Sequence, residues 1–251
     1  MSVERIVCLV PSLTEALVDF GLIERQVGRT RYCTEPQDLI EPVSEVGGTK
    51  NPDIKGILDL EPDLVVMNAE ENRLEDYQAL SAAGLNVYVT HPRTVAEAAQ
   101  MLAELGRVSG AASAGRSLEG ACMAALAQVR EDSARRPSMR VFCPIWRNPW
   151  MTFHRDTYVG SVLRTVGFDN VFSDRLDAGT DFFTVELDEV AEKAPHMVLL
   201  PDEPYVFTAD HGRELAAMGV GARHEPIDGK DLSWYGPRLP GALRRLAALS
   251  S

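Results

Sequence analysis

No run in the 251-residue sequence approaches the roughly 20 apolar residues of a membrane-spanning helix; the longest, such as residues 6–10, stop far short of it. Positive charge is also scarce. Lys+Arg number 25 against 37 Asp+Glu, a net charge of −12, and no basic cluster offers the face that nucleic acid requires. The four cysteines, Cys8, Cys33, Cys122 and Cys143, fit no Cys-x-x-Cys spacing, which argues against zinc or dithiol motifs. Cys8 and Cys143 lie in apolar runs and read as buried, reduced thiols. The five histidines lack His-x-x-x-His spacing, so no metal site is expected. The first residues show no basic segment, apolar core or cleavage site of a secretion signal. As written the chain is expected in the cytoplasm, or in the periplasm or at the cell surface if a signal has been removed.

What is present is ordinary globular material, 45% hydrophobic and 25% charged, enough for one large or two small domains. Residues 5–9, 64–67 and 86–90 read as strands and 14–20, 73–83 and 95–108 as helices, the alternation of parallel βαβ units. Ser12 or Thr14 is expected to cap the first helix. Residues 110–136 lack proline and read as one long helix whose apolar face is Leu118, Ala121, Cys122, Ala125, Leu126 and Val129. Gly115 and Gly120 weaken it by about 1 kcal/mol each, so it is expected to lean on neighbouring structure. The alternation then restarts. The stretch 57–66, apolar helix, Pro62, apolar strand, is echoed by 190–199 around Pro195, and 80–85 by 215–220. A repeat of about 135 residues suits two similar lobes rather than a solenoid. The expected architecture is α/β: two Rossmann-like lobes with central parallel sheets, residues 1–108 and 138–251, joined by a single backbone helix within 109–137.

This plan, with Val7 to Glu15, Val46-Gly47-Gly48, Leu60-Glu61-Pro62-Asp63, Asn148-Pro149 with Thr152, and Pro237-Arg238, resembles the helical-backbone (class III) substrate-binding proteins of ABC importers, above all the cobalamin-binding members. The resemblance covers nearly the whole chain. It implies a non-catalytic protein that takes cobalamin, haem, a ferric chelate or a metal ion in a cleft between lobes and docks onto a membrane permease. It places Leu74, beside Glu75, near a docking acid. It keeps Tyr32 but puts Asn68 and Val89 where cobalamin binders carry tryptophans.

Candidate contacts follow from loops after strands, where open α/β sheets bind ligands. They are Asn68, Glu70 and Asn72; Trp146, Asn148, Trp150 and His154 in a loop holding two of the three tryptophans; and Glu203 and Tyr205, beside Asp202; the resemblance adds Tyr32 and, in the late loop before Pro237-Arg238, Asp231, Trp234 and Tyr235. The aromatics supply flat surface and the polar groups orientation. Core packing is the alternative for the tryptophans, and helix-dipole stabilisation would account equally for Glu70 and Glu71. The acids suit a cationic, hydroxyl-rich or metal-chelated ligand. No catalytic residue and no required cofactor are expected; cobalamin or another metal chelate would be bound as ligand. The alternatives are a cytoplasmic binder of another metabolite and an enzyme using paired carboxylates such as Glu203.

Overall fold

The computed structural model describes residues 3–176, 179–221 and 223–250. It divides into two units. One runs to Pro92 and adds Glu97–Cys122 and Tyr235–Pro237; the other comprises Arg93–Ala96, Met123–Trp234 and the residues from Arg238 onward.

In the first unit, β1 (Ile6–Cys8), α1 (Pro11–Asp19), β2 (Gln26–Arg29), α2 (Gln37–Ile40), β3 (Ser44–Glu45), the hairpin strands β4 (Gly47–Gly48) and β5 (Asn51–Pro52), α3 (Ile54–Asp59), β6 (Leu64–Asn68), α4 (Leu74–Ala82) and β7 (Val87–Thr90) follow in chain order. Five of these strands form a parallel sheet in the order β3-β2-β1-β6-β7. Its core is Val7, Leu9, Val46, Ile57, Val65, Met67 and Leu80. The order runs outward from β1 one way and from β6 the other, so the switch point lies between β1 and β6, where the crossovers part and leave a crevice at the carboxyl ends.

Helices α5 (Val95–Ser109) and α6 (Ala112–Ser133) come next, and α6 carries the chain from the first unit into the second. A β-carbon on Gly106 would stand 2.7 Å from the Cα of Gly115, so the two helices meet backbone to backbone there. The support expected for the long helix therefore comes at Gly115, whereas Gly120 faces open space. Leu118, Cys122, Ala125, Leu126 and Val129 are buried. Ala121, placed on the same face by its spacing, is exposed.

The second unit holds β8 (Met139–Phe142), β9 (Met151–Phe153), α7 (Tyr158–Thr165), β10 (Phe168–Asn170), β11 (Phe182–Thr184), α8 (Leu187–Glu192), β12 (Met197–Pro201), α9 (Ala209–Ala217), β13 (Arg223–Ile227), α10 (Gly229–Ser233) and α11 (Leu239–Ala248). Its parallel sheet has the order β10-β8-β12-β13, with the switch point between β8 and β12. Its core includes Phe142, Phe172, Phe183, Val198, Leu200 and Leu215.

The sequence echo is a structural one. Helix α3 into β6 is matched by α8 into β12, and the residues before the two prolines, Glu61 and Ala194, share a left-handed backbone at φ 47° and 46°. Helices α4 and α9 end alike as well: the Leu85 amide donates to the Leu80 carbonyl and the Val220 amide to that of Leu215. The first helix differs from expectation. It starts at Pro11 with Val10 at its N-cap and no side-chain cap. Proline, lacking an N–H and fixed at helical φ, makes that start without help. Thr14 instead donates its hydroxyl to the Val10 carbonyl, and the buried Ser12 hydroxyl has no partner among the described residues.

Candidate functional site

At the first switch point, β6 ends in Asn68 and the chain turns through Ala69–Asn72. Asn68 is 2% exposed; its Oδ1 accepts from the amides of Glu70 and Glu71, and its Nδ2 donates to Thr90 Oγ1. Asn72 is equally engaged: Oδ1 accepts the Asn68 amide at 2.8 Å, and Nδ2 donates to the carbonyls of Leu9 (3.2 Å) and Thr49 (3.0 Å). Both asparagines therefore shape the rim. Glu70 reaches outward to His91 Nε2 at 3.3 Å, while the Lys50 ammonium donates to its carbonyl. Tyr32, on the loop after β2, is 57% exposed. The neighbouring Cys33 thiol is buried, 3.1 Å from the hydroxyl oxygens of both Thr14 and Thr30. Tyr235 is buried, with its hydroxyl 3.3 Å from Glu71 Oε1.

At the second switch point the structure brings together the loops after β8 and β12. Trp146, 43% exposed, meets Tyr205 edge-on at 5.5 Å between centroids. Trp150 stacks on Phe207 at 5.7 Å, and Tyr205 and Phe207 both pack on His211. Asn148 sits exposed at the corner of this loop with φ 65°, a conformation asparagine tolerates better than most residues. Arg147 lies among the aromatics, its guanidinium carbon 5.7 Å from the Trp150 centroid and its Nη2 2.8 Å from both carboxylate oxygens of Glu214. The Glu214 carboxylate holds the Arg147 charge firmly, raising its pKa against burial.

The other second-unit candidates are tied into the scaffold. His154 is 7% exposed; its Nδ1 accepts the Asp156 amide and its Nε2 lies 3.4 Å from Asp181, which also receives Arg93. Asp231 is 3% exposed and pairs with Arg245 at 2.5 and 2.6 Å, binding α10 to α11. The Lys230 ammonium and the Arg238 guanidinium carbon lie 5.1 and 4.9 Å from the Trp234 ring centroid. Glu203 is half-buried against α10: Ser233 reaches its Oε1 at 3.4 Å. Burial pushes its carboxyl pKa up, aided by Asp202 and Asp228 and opposed by Trp234 and Lys230.

The family model for periplasmic binding proteins matches residues 6–212. The chain belongs to the periplasmic binding protein family. This family member is 24% identical over 208 residues to the vitamin B12-binding protein of Vibrio cholerae serotype O1, covering 83% of the chain and 71% of that relative. It is 22% identical over 197 residues to the Yersinia pestis protein of the same name, covering 78% and 69%. Among solved structures, the periplasmic vitamin B12 binding protein of Vibrio cholerae superposes with a TM-score of 0.85 at 22% identity over 98% of this chain and 96% of that one. A periplasmic haem-binding protein in complex with two haems superposes with a TM-score of 0.83 at 25% identity over 98% and 99%. These proteins share the two-lobed α/β fold, and the family is one of substrate-binding proteins, not of enzymes.

Among the described residues no three His, Cys, Asp or Glu side chains gather to hold a metal, and no helix is long and apolar enough to cross a membrane. Two features were missed in the sequence. Arg147 and Glu214 pair across 67 positions, and Asn170, 4% exposed, donates to Thr152 Oγ1 and the Phe153 carbonyl. Neither had a local signal: Asn170 sits beside Asp169 and ahead of Val171 and Phe172, with no apolar run before it to mark a strand end.

Proposed function

We propose that this periplasmic binding protein captures a metal-chelate small molecule of the cobalamin, haem or ferric-chelate class and delivers it to an ABC-type permease outside the cytoplasmic membrane. The observation that carries the reading is the partly exposed aromatic platform of Trp146, Trp150 and Tyr205 at the switch point of the second sheet, where this architecture receives ligands. Flat conjugated ligands are held by such surfaces, with few polar groups fixing orientation. The contacts assigned in the second unit are these aromatics with Asn148 and Glu203; Tyr32 and Glu70 are the contacts assigned at the first unit's own sheet edge. Asn68, Asn72, His154, Asp231, Trp234 and Tyr235 are assigned to shaping the loops that carry them. The names of the relatives support the same ligand class. The exposed Glu75 at the start of α4 is assigned to permease docking.

The test is absorption spectroscopy and native mass spectrometry of the purified protein, then thermal-shift titration with cyanocobalamin, hemin and ferric chelates. A ligand at about 100 times its Kd stabilises the native state by about 2.7 kcal/mol, a readily measured rise in Tm. No shift with any of the three classes and no bound chromophore overturns the reading.

A further inference from the structure

The platform rings come from two irregular loops: Trp150 and Tyr205 pack against the second unit's core, Trp150 stacking on Phe207, while Trp146 is 43% exposed and touches Tyr205 only by an edge. One polar side chain reaches across both loops to a regular element. Arg147 donates from Nη2 to both oxygens of Glu214 on α9, lies over the Trp150 ring, and is within hydrogen-bonding reach of Tyr205. Its buried Nε finds no acceptor among the described residues, so Glu214 and the rings set the guanidinium's orientation.

We propose that Arg147 and Glu214 are positioning residues of the ligand platform, with Glu214 fixing the guanidinium and the guanidinium fixing Trp150 and Tyr205; this rests on the binding reading above. Arginine suits the role because its planar, delocalised cation stacks on a ring while its edge donates in a fixed geometry, which lysine cannot reproduce. The carboxylate also neutralises the cation, so the platform presents aromatic surface without bare positive charge. The base of the platform is held as well: Phe207 packs on His211, and His211 Nδ1 accepts the Thr208 amide at the start of α9.

The test compares full-length wild type with R147M, R147K and E214Q, in two readouts. Without ligand, near-ultraviolet circular dichroism reports the asymmetry around the tryptophans. It is expected to weaken in R147M and E214Q, and only in part in R147K, while Tm stays within a few degrees. With cyanocobalamin and hemin as probes, R147M is expected to weaken the tighter-binding probe about tenfold and E214Q by less. Unchanged spectra, or affinity lost only in step with Tm, overturns the positioning role. If wild type binds neither probe, the binding reading is what fails, and the ligand-free spectra still decide the role of the pair.

Discussion

Alanine at Asn72 removes one buried side chain and three hydrogen bonds, leaving the Asn68 amide and the Leu9 and Thr49 carbonyls unpaired. Asn68 and Leu9 are 2% and 0% exposed, so water does not readily replace what is lost. A typical hydrogen bond contributes about 1 kcal/mol net, and a buried group left unmatched costs about 1–3 kcal/mol. The expected loss is about 3 kcal/mol. In a chain of this size that lowers Tm by about 6–12 °C. Aspartate sharpens the argument. It retains an acceptor for the Asn68 amide but turns a carboxylate oxygen toward two carbonyls that need a donor. N72D should therefore be at least as unstable as N72A at neutral pH and recover as acid protonates the carboxyl and restores one donor. Urea and thermal unfolding followed by circular dichroism measure both variants. A Tm for N72A within a degree or two of wild type, or an N72D that gains nothing relative to N72A in acid, refutes the account of Asn72 as the tie of the first rim.

Glu203 predicts a pH signature. Burial first, then Asp202 and Asp228, raise its folded pKa above the ordinary carboxylate value, so the native state holds this proton more tightly than the unfolded chain. The Glu203 contribution to stability then falls as pH rises from the unfolded pKa through the raised folded one. E203Q, which cannot ionise, should gain on wild type across that window and hold a constant advantage above it; urea unfolding from about pH 4 to about pH 7 checks this, and a flat or opposite difference refutes it. All four cysteines are free and buried, with burial pushing the Cys122 thiol up to about 12 and those of Cys8 and Cys143 well above their usual range. A disulfide-exchange thiol reagent at about pH 8 should label none in the native protein and four after denaturation, since the thiolate is the reacting form. Fast native labelling would contradict that burial.

The elements legible in the sequence are those where pattern and punctuation agree. β6 and β12 are five-residue buried strands entered through Pro62 and Pro195, and α7 is preceded by Thr157, whose side chain accepts the Gly160 amide as its N-cap. β2 reads Gln-Val-Gly-Arg and has no apolar signal of its own; pairing with β1 makes it a strand. β13 contains Pro226, tolerated because it lies at the sheet edge. Which loops form the rims was legible too, because they follow the strands. Which way their polar groups turn was not: Asp231 meets Arg245 only when α10 packs on α11, and Arg147 meets Glu214 only when α9 covers the sheet. Such pairings depend on tertiary geometry, to which periodicity is blind.

The two units solve one problem in the same way. An open sheet leaves loops at its carboxyl edge that have no ladder to hold them, and each unit ties them with a buried asparagine. Asn72 joins the ends of β1 and β6 to the turn of the β4–β5 hairpin. Asn170 joins the end of β10 to Thr152 and Phe153 of β9, while Thr152 donates to the Cys143 carbonyl at the end of β8. A ligand that docked directly on Asn72 would exchange three protein hydrogen bonds for one or two of its own. The rims are therefore set before a ligand arrives, which lowers the ordering cost of binding. The side chains proposed to contact a ligand project beyond these ties: Tyr32 and Glu70 in the first unit, Trp146 and Tyr205 in the second.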